Sequence, residues 1–160
     1  MSTYTQLYYH IVFSTKHRRP CLKPDLEEHL YPYLGGAIRE EGGSALIVNG
    51  VPDHLHILAR LRQDRALSDI VRSIKAKSSG WIHRDFPQLA DFAWQEGYAA
   101  FTVSASQKER VRQYIQDQKT HHLKLSFKEE LMAFLIAHEI EFEEKYLWDW
   151  ATRSPSPLRG

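Results

Sequence analysis

Apolar side chains recur along this chain with two periods, and the switches between them outline the elements. From Leu7 to Thr15 the pattern has the period of two of a strand, with Leu7, Tyr9, Ile11 and Phe13 on one face and Tyr8, His10, Val12 and Ser14 on the other. From Pro24 to about Glu41 the period is helical, carried by Leu26, Leu30, Leu34 and Ile38. Pro32 is expected to kink that helix or divide it, because proline removes a backbone donor. Gly42-Gly43 ends it, and Ala45 to Asn49 reads as a short strand. A turn beginning at Asn49-Gly50 and completed by Pro52-Asp53 makes a hairpin into the strand His54 to Leu61. A second helix spans about Ser68 to Arg84, with Leu67, Ile70, Val71, Ile74, Ser78, Trp81 and Ile82 inward and Arg72, Lys75, Ser79 and His83 outward. Pro87 to Asp91 is a loop, and Trp94-Gln95-Glu96-Gly97 leads into a strand from Tyr98 to Ser104. Ser106-Gln107-Lys108-Glu109 has the form of a capping box opening a helix to about His122. Ser126-Phe127-Lys128-Glu129 opens a last helix with Leu131, Phe134 and Leu135 inward.

The first six elements run β-α-β-β-α-β, which predicts an α+β, ferredoxin-like antiparallel sheet with its two helices on one face, followed by added helices. That topology sets the first and third strands side by side, so His10 is expected near His54 and His56. The opposite face of the sheet is expected to be open to chemistry or a partner. Residues 1–150 read as one domain, and 151–160, rich in serine and proline, as a flexible tail.

The formal net charge is +1, with nine histidines uncounted, so a nucleic-acid partner has to be met by a local basic patch. Cys21 is the single cysteine, which excludes an intrachain disulfide and fits a reducing compartment. The first residues carry neither a basic nor an apolar targeting region, and no apolar run approaches the roughly 18 residues of a membrane span, so a cytoplasmic location is expected.

The candidate chemistry is concentrated in Asp53-His54-Leu55-His56. Leu55, Ile57, Ala59 and Leu61 make one face of that strand apolar, which fixes its register, so the two imidazoles stand together on the other face. Neutral imidazole suits a divalent metal, but paired histidines also occur as half-buried residues hydrogen-bonded to neighbours. Tyr114 and Gln118 lie four apart on a helix, and His121 continues their face. A tyrosine oxygen can serve as a nucleophile, and a glutamine carbonyl can ligate magnesium or manganese. The plainer reading is a core-edge aromatic beside a solvated amide. Lys16, Arg18 and Arg19 in a loop, and Arg72 with Lys75 on a helix face, are candidate phosphate contacts or ordinary surface charges. Trp94, Trp148 and Trp150 are expected to pack rather than to stack on bases. Two other classes remain open on these residues. One is a non-catalytic single-strand nucleic-acid-binding module on a ferredoxin-like sheet. The other is a zinc hydrolase taking His10 as third ligand.

Taken together, Tyr9-His10-Ile11-Val12-Phe13-Ser14-Thr15-Lys16-His17-Arg18, Pro52-Asp53-His54-Leu55-His56, Trp94-Gln95-Glu96-Gly97-Tyr98 and Tyr114-Ile115-Gln116-Asp117-Gln118 with His121-His122 resemble the single-tyrosine HUH transposases of small bacterial and archaeal insertion sequences and their repeat-associated relatives. The likeness extends over about residues 4 to 147. It implies a ferredoxin-like fold with an added tyrosine-bearing helix. It implies that His54, His56 and Gln118 bind magnesium or manganese and that Tyr114 is the nucleophile. It further implies cleavage and rejoining of single-stranded DNA beside hairpins, through a 5′-phosphotyrosine, by a homodimer with shared sites. The tail is shorter than in many repeat-associated relatives, which inclines the expectation toward a mobile-element enzyme over a domesticated or inactive descendant.

Overall fold

The structure, a computed structural model, describes residues 2–151. Of the expected tail, 151–160, the residues from Thr152 on lie outside the described residues, as do the side chains of Trp148 and Trp150, while Ala151 is the last residue of a helix. Strands β1 (Tyr8–Ser14), β2 (Ser44–Val51), β3 (His54–Arg60) and β4 (Ala99–Val103) form one antiparallel sheet in the order β2-β3-β1-β4. Helices α1 (Pro24–Glu40) and α2 (Leu67–Asp85) cover one face. Leu26, Leu30, Leu34 and Ile38 of α1 and Ile70, Ile74 and Ile82 of α2 share a core with Ile11, Phe13, Leu55, Ile57 and Ala59 of the sheet. The β-α-β-β-α-β order is therefore as the hydrophobic pattern predicts, and β1 and β3 are central.

Five local expectations are corrected. Helix α1 runs through Pro32 undivided, so of the two outcomes expected there division is the one that fails. Pro32 is exposed, as is Glu28 one turn back, so water can reach the carbonyl that proline leaves unpaired. The hairpin turn is Pro52-Asp53 alone, because Asn49 and Gly50 stay in β2, opposite His56 and Leu55. The Ser106 capping box does not form. Ser104 is the extended residue before a short 3-10 turn, Ala105–Gln107, and α3 (Lys108–Gln116) continues from that turn. The Ser126 box does form, with Ser126 Oγ accepting from Glu129 N at 3.1 Å at the start of α5 (Phe127–Ala137). The helix expected to reach His122 breaks at Asp117, and a short α4 (Gln118–His121) follows. Asn49 Nδ2 on β2 donates to the carbonyls of Ile115 (2.9 Å) and Gln116 (3.1 Å), so those oxygens find their partner across the fold and not in a continuing helix.

The second face of the sheet is covered. Its side chains Tyr8, Val12, Leu58, Phe101 and Val103 are too apolar to stay wet, and α3, α5 and a further helix α6 (Glu144–Ala151) bury them with Ile115, Phe127, Leu131, Leu135 and Leu147. No helix among the described residues is long and apolar enough to cross a membrane.

Candidate active site

Strand β3 turns His54 and His56 toward α3–α5, and both are fully buried. Asp53, at the end of the tight turn, accepts from His54 Nδ1–H at 2.7 Å and from Arg18 Nε at 2.9 Å. A carboxylate only accepts, so this contact sets the His54 tautomer and leaves Nε2 facing inward. His56 Nδ1 lies 2.7 Å from His10 Nε2 on the neighbouring strand β1. The Nε2 atoms of His54 and His56 converge on one oxygen of Glu130, Oε1, at 3.2 and 2.9 Å. His122 Nε2 reaches the same atom at 3.1 Å. The other oxygen of Glu130 accepts from Gln118 Nε2 at 2.9 Å and from the Tyr114 hydroxyl. Gln118 Oε1 is buried and has no hydrogen-bond partner.

Burial and charge act against each other throughout this cluster. Burial pushes the Glu130 carboxyl up, but the hydrogen bonds from His122, His54 and His56 outweigh it and hold the group well below the usual carboxylate range. Burial lowers His54, but Asp53 and Glu130 more than offset that, so its net direction is upward. Burial dominates at His56, which falls to about 4, and at His10, which lies well below the ordinary value. Burial, then the charge of Glu130, pushes the Tyr114 hydroxyl up, so it rests as a neutral phenol.

His54, His56, His122 and Glu130 offer ligand atoms that all lie within 4.8 Å of one another. Together with the unpartnered Gln118 Oε1, this is a nitrogen and oxygen donor set suited to a divalent cation. The five candidate residues Tyr114, Gln118, His54, His56 and His10 do meet, although His10 stands behind His56 and not in the converging group. Tyr114 also stacks on His121, ring centroids 4.6 Å apart.

Sequence reading missed Glu130 and left His122 without a role. A signal existed for the first: Phe127, Glu130, Leu131 and Phe134 lie on one stripe of α5, and an acid on an apolar stripe is costly unless it has partners. The basic candidates are scattered. Arg18 is tied to Asp53 beside the site, and Arg19 pairs with Asp91 at 2.9 Å. Lys16 is exposed in the same loop, where His17 and Arg18 take left-handed φ values of 57° and 53°. Arg72 pairs with Asp69 on α2, across the sheet from the histidines. Lys75 Nζ donates to the carbonyls of Gln95, Glu96 and Gly97 at 2.5, 3.2 and 3.0 Å, and burial lowers its amine to about 8. Its charge thus holds the loop before β4. Trp94 is buried, with Nε1 donating to Ser78 Oγ at 2.9 Å.

Residues 3–118 match the family described as transposase IS200 like. The ISDra2 transposase TnpA of Deinococcus radiodurans is 26% identical over 118 residues, covering 71% of this chain and 84% of that protein. A crystal structure described as a transposase from Deinococcus radiodurans R1 superposes with a TM-score of 0.62 at 24% identity, over 74% of this chain and 95% of that one. A REP-associated tyrosine transposase bound to a REP hairpin superposes with a TM-score of 0.56 at 19% identity, over 76% of this chain and 74% of that one. Those two structures share the fold. His122 and Glu130 lie beyond the family-matched residues.

Proposed function

The chain belongs to the IS200-like transposase family, and on that premise we propose that it cleaves and rejoins single-stranded DNA at insertion-sequence ends through a phosphotyrosine on Tyr114. The observation that carries this reading is the meeting of the Tyr114 hydroxyl with the Nε2 atoms of His54 and His56 at the two oxygens of one buried carboxylate. His54, His56 and Gln118 would hold magnesium or manganese, and the orphaned Gln118 Oε1 supports that assignment. The cation, when bound, supplies positive charge to a non-bridging oxygen of the scissile phosphate.

The chain's own groups do the rest. Asp53 keeps the proton of His54 on Nδ1, so Nε2 offers its lone pair. The Tyr114 oxygen forms a bond to phosphorus as the bond to the 3′ oxygen breaks, the phenol proton passes to solvent, and the 3′ oxygen takes one from solvent. The 5′-phosphotyrosine conserves the phosphodiester energy, so a 3′ hydroxyl from another end reverses the step without a nucleotide cofactor. The substrate in this reading is single-stranded DNA with hairpins, and the protein acts as a homodimer. Within one chain Tyr114 faces its own His56, whereas the resemblance implies sites shared between the two subunits.

The test is a labelled single-stranded DNA pool carrying hairpins from the flanks of the source gene, incubated with protein and manganese or magnesium. A covalent protein–DNA band on a denaturing gel that requires the metal is the expected result. Tight hairpin binding with no adduct overturns the catalytic reading and leaves a hairpin-binding protein.

Two further outcomes are expected. Proton and cation compete for the lone pair on His54 Nε2, and the pKa of His54 lies above its ordinary value of about 6.5. Manganese affinity is therefore expected to fall as the pH drops from about 8 to about 6, as read by titration of the free-ion electron paramagnetic resonance signal. The basic loop is testable without disturbing Asp53. The Lys16→Ala/Arg19→Ala pair is expected to flatten the salt dependence of single-strand binding by about 1.4 in log–log slope, about 0.7 for each phosphate no longer neutralised. An unchanged slope removes the loop from the interface.

A further inference from the structure

Resting on the cation site just proposed, we infer that Glu130 and His122 are donors to the same cation as His54 and His56, and that Glu130 ties the tyrosine to it. Asp53 accepts the Nδ1 proton of His54, so Nε2 is the atom His54 can give to a cation, and it stands 3.2 Å from both Glu130 Oε1 and His122 Nε2. His10 Nε2 can accept the Nδ1 proton of His56, so His56 likewise has Nε2 to give, 2.9 Å from Oε1. Gln118 Oε1 adds a third acceptor with no donor near it. Protons can bridge the imidazoles to Glu130 Oε1, but Gln118 Oε1 stays without a partner, and a cation among these atoms in place of the protons satisfies all of them.

A carboxylate is the best donor of the set for that purpose. It brings a full negative charge where imidazole and amide bring none, and hard cations such as magnesium and manganese prefer oxygen. Glu130 is 1% exposed, so this charge is not screened by water. Its placement is built rather than incidental. Ser126 caps the first turn of α5, Phe127 stacks on the His54 ring with centroids 3.8 Å apart, and Glu130 follows one turn later. The second oxygen, Oε2, takes Gln118 Nε2–H and the Tyr114 hydroxyl. One carboxylate therefore spans from the histidine nitrogens to the nucleophile. Gln118 acts at both ends, its Oε1 toward the cation and its Nε2 on Glu130.

Manganese binding by the full chain without DNA tests this, read from the free-ion signal. Glu130→Gln keeps the shape and removes the charge, and it is expected to weaken binding about tenfold or more, with Glu130→Asp intermediate. His122→Ala is expected to weaken it as well. Glu130→Gln binding as tightly as the parent, or more tightly, overturns the inference and makes the carboxylate a plug in the site. Should Glu130→Gln fail to melt cooperatively, His122→Ala decides, and unchanged affinity there overturns the inference. His54→Ala separates the two readings. If it abolishes binding while the Glu130 and His122 variants bind like the parent, only the inference falls. If the parent itself binds no manganese, the cation site falls with it.

Discussion

Tyr114→Phe is expected to lose the covalent protein–DNA adduct while keeping the fold and the cation site. The change removes one oxygen, and the proposed chemistry has no other atom to form the phosphorus bond. Loss of a nucleophile in other enzymes lowers rates by about a thousandfold or more, which on a denaturing gel is background. The structural cost is expected to be about 1 kcal/mol or less. Phenylalanine keeps the stacking on His121 and the edge contact to Phe134, and Glu130 Oε2 retains its bond from Gln118 Nε2. Manganese binding and thermal melting by the variant, beside the gel, separate loss of chemistry from loss of structure. An adduct that survives the substitution moves the nucleophile elsewhere.

Gly50→Ala is expected to destabilise the fold by about 3 kcal/mol or more, a loss of about 6 to 12 °C in Tm, and to take cation binding with it. Gly50 lies in β2 opposite Leu55. A Cβ there would stand 2.3 Å from the His54 carbonyl oxygen and 2.8 Å from Leu55 Cα. Both are backbone atoms of β3, so no side chain can swing aside, and the strands must part at the residue carrying the first histidine. The Gly50 carbonyl also accepts from Lys119 Nζ at 3.0 Å, so the strain reaches α4 and Gln118. Gly35→Ala is the control. Nothing lies within 4 Å of a Cβ at that position in α1, and alanine in a helix is expected to gain about 0.5–1 kcal/mol. Thermal melts and manganese titrations of the pair measure both effects. A Gly50→Ala protein that melts like the parent contradicts the close approach of the two strands.

Arg18 illustrates how a surface residue becomes part of the site. In sequence it is one of three basic loop residues that suggest phosphate contacts. In the fold its Nε lies 2.9 Å from Asp53, whose other oxygen orients His54. Replacing it would disturb the histidine as well as any DNA contact, and the loop test therefore uses Lys16 and Arg19. Lys75 is a similar case, its amine spent on three carbonyls of the loop before β4.

What was legible in the sequence is what neighbouring residues decide among themselves. Alternation from Leu55 to Leu61 set the register of β3 and put His54 and His56 on one face, and the helical spacing in α1 and α2 named their buried sides, because backbone geometry repeats over a few residues. The topology of the sheet followed from the order of those elements. Its second face could not be read this way. Whether Tyr8, Val12, Leu58 and Phe101 are covered depends on segments that arrive from far along the chain, and α5 and α6 cover much of that face. The same holds for the helix break at Asp117, where Asn49 bonds the Ile115 carbonyl from 66 residues away. It holds above all for Glu130, which meets His56 across 74 residues. A buried acid next to leucines is unfavourable on its own stripe, and only the tertiary packing, by bringing three imidazoles and a tyrosine to its two oxygens, makes it the centre of the site.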